Sequence, residues 1–237
     1  MKRLLEKIKG PIWLAVIGFA ALTGFTTIID WGKENFKQAV CHGQDFIKTS
    51  QAYIRNVKVY SQFTIVATFD VMILTDEMRM LYVDYYKKDH AMSRDQEAIL
   101  RQRQLNENRY FISMYVVGTQ KEHTYLTNKS LFTGEYQKAP EMLKGGDAMW
   151  SVGMIVGGRQ YAPESVRIVE LPVEYRQCFG TDLSQFSTVY LVRFAAVDGQ
   201  RNYIFSADRT PSSVVVRFSS PLYQADAVWK NLAYYLK

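Results

Sequence analysis

The spacing of apolar positions changes twice along this chain. From Gly10 to Ile29 there is no charged residue in twenty positions. About that number of residues carries a helix across the hydrocarbon core of a bilayer. Trp13 and Trp31 bracket the run, at the two depths where amphipathic rings favour the membrane–water interface. A single membrane-spanning helix over 11–30 is therefore predicted, with 1–10 as a short tip before it.

Steps of four and three follow. Phe36, Val40, Gly43, Ile47, Ser50, Ile54 and Val57 form one seam, flanked by Ala39, Phe46 and Tyr53. This is heptad spacing, weakened at Gly43 and Ser50. It predicts a helical stalk over 31–57. Unbroken from Ile12 to Val57, such a helix would run about 70 Å at 1.5 Å per residue. Two readings of the seam stay open. Phe36, Val40, Ile47, Ile54 and Val57 form an interface with a second copy or a partner, or the stripe covers the chain's own domain.

Beyond 58 the rhythm becomes mostly two. Phe63, Ile65, Ala67 and Phe69 alternate with polar residues, as in a half-buried strand. Thr75 reads as a helix N-cap with Asp76 and Glu77 in the first turn, and Met78, Leu81, Tyr82 and Tyr85 mark one face. Ser93 with Gln96 reads as the capping box of a second helix reaching about Asn106. Strands are predicted over 110–117, 148–156, 159–162, 165–171, 188–197, 201–207 and 213–218. Gly157-Gly158 and Asp198-Gly199 supply hairpin turns. A last helix is predicted from Ser220, with Pro221 at its first position and Ala225, Val228, Trp229, Leu232 and Leu236 as its stripe. The polar stretch from Gly118 to Asp147 divides between a tethered surface loop, or an unrecognised short strand, and a binding loop. The fold class that results is α+β: a mostly β domain over 58–237, with sandwich-like antiparallel sheets and a helical pair, on one N-terminal membrane helix.

Charge orients this layout. Lys2, Arg3, Lys7 and Lys9 against Glu6 supply half of the net +6, and they precede the apolar run, while Asp30 follows it. The positive-inside rule then places the N-terminus in the cytoplasm and the domain on the far side of the inner, cytoplasmic membrane, in the periplasm. A cleaved signal peptide fits the same basic start and apolar run. No small-x-small site stands out, and the run is long for a signal. Leu22-Thr23-Gly24 is followed by Phe25 where a lipid-bearing Cys would be needed. The remaining charge is spread without a dense Lys/Arg cluster, which argues against nucleic acid as a partner.

The search for chemistry is short. His42, His90 and His123 lie far apart with no neighbour at metal-ligand spacing. No nucleophile elbow or phosphate-binding glycine loop occurs. No catalytic residue, cofactor or metal site is expected, and an enzyme is not. Cys41 and Cys178 would both lie outside the cytoplasm, where disulfides persist. They are either bonded to each other or two independent thiols.

The order Val66-Ala67-Thr68-Phe69, a helical pair, Tyr110-Phe111-Ile112-Ser113-Met114-Tyr115, Trp150-Ser151-Val152-Gly153-Met154, Tyr161-Ala162-Pro163-Glu164-Ser165-Val166 and Tyr190-Leu191-Val192-Arg193-Phe194 resembles certain uncharacterised bacterial cell-envelope lipoproteins with a β-sandwich-like domain. The resemblance spans about residues 60 to 220 as scattered aromatic positions and departs from the family at Phe25. It implies residence in the envelope and no activity. One anchor before an extracytoplasmic α+β domain also resembles, in topology alone, inner-membrane subunits of type IV secretion machines. The expectation is a membrane-anchored interaction or structural protein of a secretion, motility or envelope assembly, partnered by the membrane and by another protein or a second copy. The alternative is an extracytoplasmic module that binds a small ligand or peptide.

Overall fold

The run Val71-Met72-Ile73-Leu74 has no polar face, and the structure shows why. A computed structural model describes residues 46–120, 141–144, 148–182 (backbone alone at 180–182), 187–206 and 210–235. These residues form a mixed α+β fold, mostly β, with two antiparallel sheets. The strands are β1 (Ile54–Ser61), β2 (Thr64–Ile73), β3 (Phe111–Gln120), β4 (Ser151–Val156), β5 (Arg159–Tyr161), β6 (Ser165–Ile168), β7 (Thr188–Ala195), β8 (Ser213–Ser219) and β9 (Gln224–Lys230). The helices are α1 (Asp76–His90), α2 (Arg94–Tyr110) and the single turn α3 (Val173–Arg176). One sheet has the order β1-β2-β3-β7-β6 and the other β5-β4-β8-β9.

The five-stranded sheet is covered on both faces. Phe69, Val71 and Ile73 of β2 register with Gly118, Val116 and Met114 of β3, and these with Thr188, Tyr190 and Val192 of β7. This face meets the four-stranded sheet: the Phe69 ring stacks on Phe218 at 4.1 Å and meets Trp150 edge-on at 5.1 Å. The opposite face carries Met72, Tyr115 and Leu191 in register. It meets the helices, through Tyr115 against Tyr175 (5.5 Å), Tyr175 on Tyr82 (4.8 Å) and the Arg193–Glu107 ion pair. A strand dry on both sides loses the two-residue alternation and reads as a continuous apolar run.

Local signals hold the helices in place. The Thr75 side chain accepts a hydrogen bond from Met78 N at 3.1 Å, and Lys87, Lys88 and His90 occupy the last turn of α1, complementing its dipole. Ser93 and Gln96 form the predicted capping box on α2. Between the two helices lies a buried polar clasp. Asn108 accepts from Arg79 Nε at 2.6 Å and from the Tyr234 hydroxyl at 3.2 Å, and donates to Asp76 at 2.9 Å. Its main-chain oxygen accepts from the Tyr235 hydroxyl at 3.2 Å, and Asp76 N donates to Tyr234 O at 2.9 Å. The last described residues are thus fastened onto the helical pair.

Several expectations are corrected. In the segment read as stalk, the described residues have helix over 46–50 and a 3-10 turn over Gln51–Tyr53, after which Ile54 opens a strand. Ile54 and Val57 belong to β1 and pack against the core. β-Branched residues there are used in pairing with β2 rather than in a seam. Phe63 is not in a strand: it stands fully exposed in the β1–β2 turn, after Gln62 at φ +53°, and a register shift lies just before the turn, between Val59 and Tyr60. The predicted 201–207 strand is reduced to one bridge, Val197 with Tyr203. Asp198 accepts from Gln200 N and Asn202 N, which closes a wider loop than a two-residue turn. The predicted C-terminal helix is strand β9, because Pro221 lies in a turn closed by Ser220 and Tyr223 and the chain folds back on β8. Trp229 and Ala227 are buried and Val228 faces out, a strand alternation in place of a helical stripe. None of the described helices is long and apolar enough to cross a membrane, and the predicted tip and anchor, 1–30, lie outside the described residues.

The clasp predicts a large cost for a small change. Asn108→Ala leaves Arg79 and Asp76 buried without their shared partner, and a loss of about 3 kcal/mol is expected. Urea denaturation of the full chain, followed by tryptophan fluorescence, measures it. A loss under about 1 kcal/mol would show that the clasp does not hold the C-terminus.

Candidate functional site

The two sheets are joined along one side and open along the other. On the joined side, Arg55 of β1 donates through Nε to Val228 O of β9 at 2.8 Å and lies over the Trp229 ring at 5.5 Å. On the open side, β4 and β5 approach β6 of the other sheet. The chain crosses between the sheets there at Ala162-Pro163, and a cleft of about 510 Å³ opens. Leu143, Trp150, Tyr161, Pro163 and Val166 supply apolar wall, while Ser151, Gln160, Arg217 and Ser219 supply polar groups. That size lies within the range of small-ligand and peptide sites.

The cleft follows from an incomplete strand pair. Gly157 and Gly158 both have positive φ (+57° and +79°), the two-residue turn geometry that favours glycine. This turn sets Val156 opposite Arg159 and Met154 opposite Tyr161. The residues that close such a turn exchange hydrogen bonds, and the pattern repeats every second residue. Val156, Met154, and then Val152 therefore turn their main-chain groups toward this edge. β5 ends at Tyr161, and Pro163 brings no N–H. Further along, Trp150 N donates to Met142 O at 2.9 Å. Met142 is held by Gly118, where an added Cβ would stand 3.0 Å from its sulfur, and its N–H donates to the Tyr190 hydroxyl at 3.3 Å. Among the described residues, Val152 is left without a ladder partner on this edge, between two bonded neighbours, and it lines the cleft. Nearby, the Arg217 guanidinium binds Asp226 by two bonds of 2.8 Å each, from Nε and Nη2.

A second recessed surface lies on the outside of the helical pair, where Tyr86, His90, Met92, Ile99, Leu100 and Arg103 line a shallower groove of about 420 Å³. It is more open to solvent and holds no interrupted backbone pairing.

The residues singled out from sequence are not in the cleft. Ile47 is half-buried in the helical turn 46–50, and Ile54 and Val57 lie in β1. Phe36, Val40, Cys41, His42 and His123 lie outside the described residues. His90 is exposed at the end of α1 and stacks on Tyr86 at 3.9 Å. Cys178 is a buried thiol whose Sγ lies 3.9 Å from Glu174 O. Among the described residues no three His, Cys, Asp or Glu gather as metal ligands. The cleft residues were missed because its signal is a strand that stops early. Tyr161-Ala162-Pro163, a hairpin arm ended by proline, is the sequence trace of that stop.

Burial makes the domain sensitive to alkali. It pushes the Cys178 thiol up to about 11, and Tyr82 and Tyr235 up to about 12. Each group stays protonated in the folded chain after its unfolded counterpart has ionised. Stability is therefore fully present below about pH 9 and is lost as pH rises toward 12. The urea midpoint should hold steady from pH 7 to 8.5 and fall thereafter; a midpoint unchanged at pH 11 would contradict this. The edge makes a separate prediction. Val152 N–H should exchange with deuterium at least 10-fold faster than Met154 N–H and Val156 N–H, its neighbours in the same strand. Equal protection at the three amides, measured by NMR, would mean the edge is covered.

Comparison with known protein families, with curated proteins and with solved structures finds no match for this chain.

Proposed function

We propose that this chain is a membrane-anchored interaction protein of the bacterial envelope. One helix over 11–30 holds it in the inner membrane, with the N-terminus in the cytoplasm and the α+β domain in the periplasm. Its work is binding rather than catalysis, as a subunit of a secretion, motility or envelope assembly. The anchor is supported by the uncharged run from Gly10 to Ile29 behind four basic residues. The observation that carries the binding role is the interrupted edge of β4. A strand edge whose pairing stops at Met154 among the described residues, recessed among Trp150, Tyr161 and Val166, suits recognition of another chain.

A second reading is favoured by the same cleft. Its volume and mixed lining fit a small ligand as well as a polypeptide, which makes the domain an extracytoplasmic small-ligand module.

Membrane fractionation and crosslinking test the leading reading together. The chain should resist carbonate extraction from inner membranes, and its domain should be cleaved by protease in spheroplasts but not in intact cells. Amine-reactive crosslinking in intact membranes should yield a self or partner adduct. A chain released by carbonate, or one that forms no adduct of either kind, would sink the proposal.

A further inference from the structure

The outer face of α2 carries an apolar residue that the domain does not use. Asn108, on the buried side of α2, lies nine residues from Ile99, half a turn round the helix at about 100° per residue. Ile99 therefore points away from the core, and it is 68% exposed. Within about 60° of it round the helix stand Asp95, Gln96, Gln102, Arg103, Asn106 and Tyr110. Two hollows flank Ile99. Gln96, Ile99, Leu100 and Arg103 help line the groove of about 420 Å³, and Ile99, Gln102, Arg103 and Asn106 help line a second of about 390 Å³. Each set of four has the spacing i, i+3, i+4, i+7. That is the hole into which a facing helix inserts a side chain. The occupant this face fits is a helix.

The charges indicate which helix. Asp95 and Arg103 are the two charged residues of this face. Both are exposed, and neither has an ion-pair partner among the described residues. Nearer the core the charges of α2 are tied: Glu97 to Lys87, Arg101 to Asp84 and Glu107 to Arg193. Asp95 lies four residues before Ile99, and Arg103 four residues after it. An antiparallel copy of α2, set Ile99 to Ile99, therefore brings Asp95 of each copy level with Arg103 of the other. Two ion pairs form about one centre. Gln96 and Gln102, three residues to either side, come level in the same way, and each amide can both donate and accept. A surface that complements itself under a two-fold rotation is what a closed dimer requires. A parallel copy would set Asp95 against Asp95 and Arg103 against Arg103, which is unfavourable.

We propose that two copies of this chain pack through α2, antiparallel and centred on Ile99, with Asp95 of each copy paired to Arg103 of the other. The helix has 17 residues, or about 25 Å. One face of that length covers less than the roughly 800 Å² per partner of a standard interface. The dimer is therefore weak in dilute solution and fills when copies are held close together, as two chains anchored in one membrane are. This surface shares no residue with the cleft, and it stands whether or not the cleft binds a partner.

The test uses the purified full chain in mild detergent at high protein concentration, with single cysteines placed on α2 and oxidised. The wild-type chain, with Cys41 and Cys178, sets the background. Antiparallel packing puts the two Ile99 positions face to face. It separates the two Asp95 positions, and likewise the two Arg103 positions, by eight residues or about 12 Å along the helix axes, beyond the reach of a disulfide. Ile99→Cys should therefore form a covalent dimer about 10-fold faster than Asp95→Cys or Arg103→Cys alone. A mixture of Asp95→Cys and Arg103→Cys chains should link where neither does so by itself. Charge reversal is read by sedimentation. Asp95→Arg and Arg103→Asp should each weaken the dimer about 5-fold, and the double variant should recover most of the loss. All three positions are exposed, so the domain keeps its fold. Ile99→Cys no faster than wild type, or Asp95→Cys alone as fast as the mixture, or a double variant no better than the single ones, would overturn the proposal. Adducts in intact membranes that none of these cysteines captures would remove this surface and leave the interaction reading standing. A chain released by carbonate that still links through Ile99→Cys would do the reverse.

Discussion

A sheet that is dry on both faces has nowhere to place a charge except at its margins. That constraint governs the layout of this domain. The β2, β3 and β7 strands fill the middle of the five-stranded sheet with Phe69, Val71, Met114, Val116 and Val192, all fully buried. The charged side chains that these strands do carry are tied to a neighbour. Asp70 meets Asn56 across the β1–β2 pair, and Arg193 reaches Glu107 of α2 and lies over the Phe111 ring. Burying a charge without such a partner costs several kcal/mol. The partners come from the elements that cover the sheet, and this sets where those elements sit.

The two coverings are built differently. The four-stranded sheet covers its side with rings and branched chains, as where Phe69 lies flat on Phe218. Stacked pairs of that kind add about 1 kcal/mol beyond simple burial. The helical side is mixed. It has an aromatic relay, Tyr115 to Tyr175 to Tyr82, and beside it the clasp of Asp76, Arg79, Asn108 and Tyr234. The first side tolerates imprecision because dispersion is not directional. The second does not, because every buried polar atom needs its own partner at the right angle. The helices are therefore positioned more exactingly than the outer sheet, and the cleft lies on the more tolerant side.

Sequence made the elements visible where a local rule operates. The capping box at Ser93, the Thr75 cap and the Gly157-Gly158 turn each act within four residues, and each is present as read. Sequence failed where a distant partner decides. Ile54 and Val57 keep heptad spacing, yet β2 recruits them as a strand. Residues 224–230 keep helical spacing, yet β8 recruits them likewise. The cleft was illegible for the same reason. Its walls come from residues 143, 150, 161, 166 and 217, and no short window contains the gap. What the sequence did carry was Pro163, a stop whose consequence depends on where β4 continues.

The polar clasp also bears on the order in which the chain can finish folding. α1 and α2 are complete by residue 110, but the bonds from Asp76 N–H to Tyr234 O and from the Tyr234 and Tyr235 hydroxyls to Asn108 come from far along the chain. A chain made from the N-terminus onward therefore carries the helical pair without these bonds until residues 234–235 have been made. A truncation that removes Tyr234 and Tyr235 would leave that helical layer without these closing bonds for good.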